Sequence, residues 1–443
     1  MTHSKPGLGS RKMDGRTGDL SRRAFAAIAA TAGLALTRRA AQGALVSTDV
    51  ARLPPYGNGT LPEGIRSRSL NNGNGLSVHV LEAGFETPGR PALLLLHGFP
   101  ELAYSWRKVM LPLAGAGYHV IAPDQRGYGR TTGWDDAYDA DLAPFSFASL
   151  VTDAVGLLSA LGYRSVPAVI GHDAGSPAAA WCALMRPDVF RSVMMMSSPF
   201  TGPPALPFNT ADAPTRPAAE APSRDNIDAA LGALDRPRKY YQTYSTTRAA
   251  NDDLMRAPQG LHDFLRAYYY YKSADWKGNK PFPLAAVSAE EFAKMPTYYV
   301  MDRDANMAQT VAAVMPSAAE IAACKWLTEA ELEVYVSEYG RTGFQGGLQG
   351  YRRSRDPKLI AGLRLFSGRA IDVPSSFVGG KSDWGVYQNP GALDVMRSKA
   401  CTQMLGIHLV DGAGHWVQQE QPEEVSRLIL QFLHDQPGRE GRL

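Results

Sequence analysis

The chain has 443 residues, of which 44% are hydrophobic and 20% are charged, and its formal net charge is +3. This composition is typical of an ordinary globular protein, and the near-neutral charge argues against a nucleic-acid-binding surface. The length suits one large domain with insertions, or two domains. Three cysteines (Cys182, Cys324 and Cys401) show no Cys-x-x-Cys spacing, so they predict at most one disulfide bridge.

The N-terminal segment has the features of an export signal. Arg22 and Arg23 precede an apolar run that stops near Leu36, which is too short to span a membrane and has the length of a signal-peptide core. The paired arginines resemble the twin-arginine signal, which carries folded proteins across a membrane. We therefore expect residues 1–43 to be removed before Ala44, and the mature protein to be periplasmic or secreted, without a stable membrane anchor. The alternative is an extension that stays on the protein, and it would leave the location cytoplasmic.

From about Leu76 the pattern alternates between strands and helices. Short apolar runs such as "PALLLLHG", "YHVIAPDQRG", "SVPAVIGHD" and "FRSVMMMSSP" are typical of parallel strands that are buried on both faces. Helical stretches follow some of them, including "FASLVTDAVGLLSALG" and "SPAAAWCALM", where Ser176 is a candidate N-cap and Pro177 a candidate first helical residue. These repeated βα units predict an α/β fold with a mostly parallel sheet flanked by helices.

The strand pattern is interrupted after Pro199. Residues 199–365 begin with a proline-rich stretch and continue as helical segments dense in tyrosine, before strands return in "VPSSFVGGKSD" and "GIHLVDGAGH". We therefore predict a core in two parts, residues 44–198 and 366–443, with a helical cap inserted between them. Ligands of open α/β sheets bind beyond the carboxyl ends of the strands, so the cap is expected to cover the site.

Three candidate catalytic residues follow three of the predicted strands. Asp173 is the centre of a Gly-x-Asp-x-Gly turn between a strand and a helix, which is the pattern of a nucleophile elbow with aspartate in place of serine. An ordinary Gly-Asp surface turn is the alternative. Asp383 follows the strand in "FVGGKSDWG", and His415 follows the next one in "DGAGHWVQ". A histidine can take up a proton at neutral pH, and a carboxylate can fix its tautomer and stabilise the imidazolium.

The segment "LLLLHGFPE" ends another buried strand, where a turn can direct backbone N–H groups at a developing oxyanion. We expect the N–H groups of Phe99 and Ala174 to form an oxyanion hole, although a purely structural turn is the alternative. No His/Cys cluster has the spacing of a zinc site, so neither a metal nor an organic cofactor is expected.

Together these motifs resemble the epoxide hydrolases of the α/β-hydrolase superfamily. The resemblance covers nearly all of the chain after the signal and rests on "HGFPE", "DQRGYG", "GHDAG", "GGKSD" and "GAGHW". It implies an α/β-hydrolase core and two cap tyrosines that donate to the epoxide oxygen. Their counterparts are Tyr241, followed by Gln242 in "RKYYQTYS", and Tyr351 in "GRTGFQGGLQGYRRS". Packing in the cap is the alternative for each tyrosine. Ala174 departs from the family, whose well-known members often have tryptophan there, so the shape of the pocket wall is expected to differ.

The resemblance implies hydrolysis of a small apolar epoxide to a vicinal diol. Asp173 would form an ester with the substrate, and His415 would activate the water that cleaves it. Gln242 and Trp384 are expected to contact the substrate. A haloalkane or haloacid dehalogenase with the same nucleophile is one alternative, in which Trp106 and Trp384 would bind halide. The other alternative is a ligand-binding protein that keeps the fold without turnover.

Replacing Arg22 and Arg23 by lysine tests the export signal. Because the twin-arginine pathway reads the paired guanidinium groups, the double variant should accumulate inside the cell as an uncleaved precursor. Cell fractionation with an immunoblot for precursor and mature forms measures this. Unchanged export of the double variant would contradict the prediction.

Overall fold

A computed structural model describes residues 49–206 and 224–436. The predicted export signal lies outside the described residues, as does part of the proline-rich stretch. No helix in the described ranges is both long and apolar enough to span a membrane.

An eight-stranded sheet forms the centre of the fold. Its strands are β1 (Ile65–Asn71), β2 (Ser77–Ala83), β3 (Ala92–Leu96), β4 (His119–Pro123), β5 (Ala168–His172), β6 (Val193–Met196), β9 (Ser375–Gly380) and β10 (Met404–Val410). Their spatial order is β1-β2-β4-β3-β5-β6-β9-β10. β2 is antiparallel to β1 and to β4, and the other neighbours are parallel. The predicted mostly parallel sheet is thus confirmed.

Helices follow the strands and cover the sheet. Those before the interruption are α1 (Arg107–Gly115), α2 (Phe147–Ala160) and α3 (Gly175–Met185). Those between β6 and β9 are α4 (Arg224–Gly232), α5 (Tyr241–Tyr244), α6 (Ala249–Met255), α7 (Gly260–Lys272), α8 (Ala289–Phe292), α9 (Met307–Ala312), α10 (Ala318–Ala323), α11 (Glu329–Thr342), α12 (Gln345–Arg353) and α13 (Pro357–Leu363). After β9 come α14 (Ala392–Val395), α15 (Val417–Glu420) and α16 (Pro422–His434).

The central strands are buried on both faces, which explains their continuous apolar runs. In β3, Leu93 and Leu95 belong to one hydrophobic cluster, and Leu94 and Leu96 to the cluster on the opposite face. Alternate side chains of a strand point to opposite faces, so both sets must be apolar. β5 repeats this arrangement in the centre of the sheet.

Some features of the structure were not predicted. β1 lies before the expected start of the sheet. It is an edge strand whose residues alternate in exposure, so its sequence "IRSRSLN" is polar and lacks the continuous apolar run of the central strands. Two strands of three residues, β7 (Arg238–Tyr240) and β8 (Val300–Asp302), pair within the inserted segment, and they are too short to show a periodicity. The expected N-cap at Ser176 is wrong. α3 already begins at Gly175, and the Ser176 hydroxyl donates to the carbonyl oxygen of Ser198.

Ion pairs fasten the inserted helices to the core. Arg107, at the start of α1, is buried and lies 2.8 Å from a carboxylate oxygen of Glu331 in α11. Further along α11, Glu338 lies 2.7 Å from the Arg130 side chain. Both arginines are less than 10% exposed, so these contacts hold α11 against α1 and the segment after β4.

The parallel strands bring the predicted catalytic residues to one edge of the sheet. Asp173 directly follows β5, while Asp383 and His415 lie in the loops after β9 and β10. Because parallel strands end at the same edge, these loops are neighbours even though more than 200 residues separate the first from the second. The inserted segment also leaves from this edge, after β6.

Gly171→Ala tests the close contact between β5 and α3. A Cβ at this position would lie 2.0 Å from the carbonyl oxygen of Gly175, so we expect the variant to lose about 1–3 kcal/mol of unfolding free energy, as overpacked cores do. Urea unfolding measures the change. Gly362→Ala in α13 is the control, since nothing lies within 4 Å of its Cβ. Equal effects of the two substitutions would contradict the prediction.

Candidate active site

Asp173 sits in a tight turn between β5 and α3. Its φ is +50°, in the left-handed region that residues other than glycine rarely adopt. A Cβ on Gly175 would lie 2.2 Å from the carbonyl oxygen of Leu96, and one on Gly98 would lie 2.4 Å from the Asp173 Cβ. Glycines are therefore required on both sides of the aspartate, which is held at the carboxyl edge of the sheet as the elbow pattern predicts.

His415 lies between two carboxylates. Its Nε2 is 3.4 Å from Oδ2 of Asp173, and its Nδ1 is 3.1 Å from Oδ1 of Asp383. The Gly385 backbone N–H donates to Asp383 Oδ1 at 2.7 Å and fixes that carboxylate. The structure thus brings the three predicted residues together in the order Asp173, His415, Asp383, with one imidazole nitrogen on each carboxylate.

The predicted oxyanion residues lie beside the nucleophile. The Phe99 N–H donates to Asp173 Oδ1 at 2.9 Å, so the two oxygens of this carboxylate face different partners. One oxygen is held by the backbone, and the other faces His415. Ala174, the second expected donor, is the residue after the nucleophile and lines the adjoining cavity.

Electrostatic interactions keep Asp173 ionised. Burial alone raises the pKa of Asp173, but the interactions with His415, Lys272 and His172 outweigh burial, and the net pKa lies well below its ordinary value. Lys272 is itself 3% exposed and lies 5.2–5.5 Å from the ring centroids of Tyr268, Tyr299 and Trp416. Burial lowers the pKa of Lys272, although the charge of Asp173 opposes this shift.

The two predicted cap tyrosines face the same cavity as Asp173. Tyr241 begins α5, Tyr351 lies in α12, and their ring centroids are 6.0 Å apart. The Tyr241 hydroxyl donates to Gln388 Oε1 at 3.3 Å and accepts from Gln242 Nε2 at 3.2 Å. Burial first, and then the neighbouring tyrosines and Asp173, raise the pKa of both phenols well above the usual value. Both phenols therefore remain protonated hydrogen-bond donors at neutral pH.

Known proteins resemble this chain over most of its length. The family model described as "alpha/beta hydrolase fold" matches residues 91–282. Epoxide hydrolase A of Mycobacterium tuberculosis is 33% identical over 377 residues, covering 84% of this chain and 98% of that protein. An epoxide hydrolase of Caballeronia sordidicola is 31% identical over 360 residues, covering 81% of this chain and 91% of that protein. The chain belongs to the epoxide hydrolase family. Among solved structures, an epoxide hydrolase from an endophytic Streptomyces matches with a TM-score of 0.64 and 30% identity, covering 84% of this chain and 96% of that chain. These matches confirm the resemblance and the α/β-hydrolase fold.

The cavity above the nucleophile has a volume of about 580 Å³. Asp173, Ala174, Tyr241, Gln242 and Tyr351 are among the residues that line it. This volume lies within the range of pockets that hold drug-sized molecules.

The tryptophans predicted to contact substrate or halide lie elsewhere. Trp384 is not part of the cavity lining, and its ring packs on Phe282 with centroids 5.0 Å apart. Trp106 is fully buried and also lies outside the lining. The structure therefore places Gln242, but not Trp384, in the cavity wall. The contacts expected for a halide at Trp106 and Trp384 are absent from this cavity wall.

Ser197 is a site residue that the sequence analysis missed. It follows β6, and its hydroxyl donates to Asp383 Oδ2 and lies 2.9 Å from His415 Nδ1. Its φ of +68° turns the side chain into the site. The available signal was its position, since it is a polar residue directly after the strand "VMMM", at the edge where the other site residues were placed.

A buried pair behind the histidine was also missed. His172 Nδ1 lies 2.6 Å from Glu101 Oε2, and His172 Nε2 donates to the carbonyl oxygen of His415 at 2.7 Å. Burial lowers the pKa of His172, but Glu101 more than compensates and the net pKa is raised. Glu101 also accepts the Gly98 N–H at 2.9 Å. This pair connects the loop of the oxyanion donor to the loop of His415.

The three cysteines are unpaired in the structure. The possible disulfide bridge is therefore not formed. Cys182 and Cys401 are buried, as expected for small apolar side chains in a core.

We expect Ser197→Ala to lower kcat, because the Ser197 hydroxyl contacts both Asp383 and His415. The variant removes a hydrogen bond to the Asp383 carboxylate, and such bonds contribute about 1.5–3 kcal/mol, so we expect roughly a 10- to 100-fold fall in kcat with the fold retained. Steady-state kinetics together with thermal unfolding measure both quantities. Ser375→Ala is the matched control, because this buried hydroxyl lies at the opposite end of β9 and donates to the Val373 carbonyl oxygen. A similar loss of kcat in both variants would count against the assigned role.

Proposed function

We propose that the protein hydrolyses epoxides to vicinal diols in two steps, through a covalent ester on Asp173. The observation that carries this proposal is the arrangement of the Asp173 carboxylate. One oxygen accepts the Phe99 N–H, the other faces His415 Nε2, and the cavity above it is lined by Tyr241 and Tyr351. Membership of the epoxide hydrolase family supports the same chemistry.

In the first step, Asp173 Oδ2 attacks an epoxide carbon. A bond forms between this oxygen and the carbon, the C–O bond of the ring breaks, and its electron pair goes to the epoxide oxygen. Tyr241 and Tyr351 donate hydrogen bonds to this developing alkoxide, and one phenol supplies the proton. An alkoxide is far more basic than an ordinary phenolate, so a phenol beside it is a suitable proton donor.

In the second step, His415 takes a proton from water, and the hydroxide attacks Cγ of the Asp173 ester. The tetrahedral charge develops on Oδ1, where the Phe99 N–H already donates and the Ala174 N–H is the second proposed donor. Collapse releases the diol with the former Oδ2 and leaves the water oxygen in Asp173. His415 returns its proton to the leaving alkoxide, and Asp383 stabilises the imidazolium between these events. The second proton of the water passes from the Asp173 carboxyl group to the tyrosinate that the first step left, which restores both groups.

The location of the reaction is a separate proposal. The twin-arginine pattern at Arg22 and Arg23 supports export of the folded enzyme, with water and a small apolar epoxide as its substrates outside the cytoplasm. Export of a folded chain suits a protein whose site combines residues from distant parts of the sequence.

His415→Gln should trap the ester. Without the base, the first step remains possible and the second is blocked, so intact-protein mass spectrometry should show the protein mass raised by one substrate. Asp173→Asn is the control, since an amide is not a nucleophile here, and it should form no adduct. Tyr241→Phe or Tyr351→Phe in the His415→Gln background should slow adduct formation, because each removes a donor to the alkoxide.

A single turnover of the unmodified protein in heavy-oxygen water tests the route of the oxygen. Under the proposed mechanism, the label enters Asp173 and the first diol carries unlabelled oxygen from the carboxylate. Label that enters the diol directly would mean that water attacks the epoxide with Asp173 as a general base, and the ester mechanism would be wrong.

A further inference from the structure

The backbone of the loop that carries His415 is bonded at three consecutive N–H groups. The Gly414 N–H donates to Glu420 Oε2 at 2.9 Å, and the Trp416 N–H donates to Glu420 Oε1 at 3.0 Å. Between them, the His415 N–H donates to the carbonyl oxygen of Lys272 at 2.9 Å. One glutamate therefore holds the chain on both sides of the histidine.

The same carboxylate also reaches the inserted segment. Glu420 Oε2 accepts the Ala274 N–H at 2.8 Å, although the two residues are 146 positions apart in the chain. A Cβ on Gly414 would lie 2.5 Å from the Ala274 nitrogen and 2.6 Å from the Lys272 carbonyl oxygen, so the loop and the inserted segment pack backbone against backbone. Position 414 therefore needs glycine, and Glu420 is bonded to both sides of this contact.

Glu420 differs from the glutamates that cap helices. Glu320 and Glu331 accept the N–H groups of Ser317 and Thr328, which lie three positions earlier in the chain. Glu420 is partly buried, and its three N–H partners come from two distant parts of the chain. Burial raises the pKa of Glu420 to about 8, although these N–H groups oppose the shift. The ionised carboxylate accepts from all three groups, whereas a protonated one has an O–H in place of one acceptor.

The position of His415 Nε2 depends on how the loop is held. On the other side of the ring, Nδ1 contacts Asp383 and Ser197. Nε2 lies 3.4 Å from Asp173 Oδ2 and, within residues 49–206 and 224–436, is buried without a hydrogen-bond partner. The contacts of Nδ1 and the backbone of the loop therefore set the place of this nitrogen. Displacing a reacting group by about 1 Å can cost roughly 100-fold in rate.

We propose that Glu420 is a positioning residue for the second step, because it holds the His415 loop against the inserted segment and so keeps Nε2 where it activates the water that cleaves the Asp173 ester. The inference rests on the proposed function and deepens it by assigning a residue that acts through His415. The first step needs Asp173 and the two phenols but not the base. Loss of the Glu420 contacts should therefore slow hydrolysis of the ester and leave its formation nearly unchanged. A residue that only stabilised the fold would affect both steps alike.

Glu420→Gln tests the proposal. The amide keeps the length of the side chain but replaces one acceptor oxygen with an NH2 group that faces a backbone N–H. Mixing excess protein with an epoxide, quenching with acid at short times and recording intact-protein masses gives the rates of ester formation and ester decay separately. The assay is run above the pKa of Glu420, where the carboxylate of the unmodified protein is ionised. We expect ester decay to slow by at least about 10-fold while ester formation changes by less than about threefold, so that the ester accumulates.

Two further variants complete the test. Glu424→Gln is the matched control, because Glu424 lies four residues further on and accepts from Arg427 at the surface, and it should change neither rate. Glu420→Asp keeps the charge but shortens the side chain by one methylene group, so it should show the same selective slowing of decay.

Equal slowing of both steps, no slowing of either, or loss of folding in both Glu420 variants would mean that the carboxylate serves only the fold, and the positioning role would be wrong. The proposed function fails by a different result, which does not involve Glu420. If neither the unmodified protein nor His415→Gln forms an ester, the two-step mechanism is wrong and the role of Glu420 falls with it.

Discussion

The close approach of three backbone segments around Asp173 is the constraint on which the site depends. The turn after β5 places a non-glycine residue at positive φ, and it fits only because Gly98 and Gly175 have no side chains. The same contact puts the Phe99 N–H on one oxygen of the nucleophile. The short motifs "HGFPE" and "GHDAG" are therefore two sides of one packing contact, and the orientation of the carboxylate follows from backbone geometry rather than from flexible side chains.

Buried charge is the second feature of the site. Glu101 and Asp383 are buried carboxylates and the Asp173 side chain is only 14% exposed, and isolated burial of such groups is costly. His172 and His415 make direct contacts with them, while Lys272 acts from within a ring of aromatic side chains without a direct contact. Each carboxylate also accepts at least one backbone N–H. These backbone N–H groups and basic side chains together keep Asp173 ionised and His415 oriented.

Much of the fold and of the site was predictable because both follow from local patterns. Continuous apolar runs marked the parallel strands, and Asp173, Asp383 and His415 stand where those strands end. The contacts of Ser197, Glu101 and His172 depend on which strands are neighbours in the sheet, and a single sequence does not contain that order. For Trp384, the sequence predicted a contact with the substrate, but the structure places this residue outside the cavity wall. It is adjacent to Asp383 in sequence, but the turn directs its side chain to Phe282 and away from the cavity. β7 and β8 were not predicted because three residues are too few to show the alternating pattern of a strand.

The sheet is interrupted at one place, between β6 and β9, and that interruption has a consequence for how such proteins diversify. Tyr241 and Tyr351, which line the cavity, are encoded in this contiguous stretch, whereas Asp173, Asp383 and His415 lie outside it. Recombination at two points in the gene would therefore exchange this part of the cavity wall and leave Asp173, Asp383 and His415 untouched. Drift within the segment can alter which molecules are accepted, while selection on the rest preserves the chemistry.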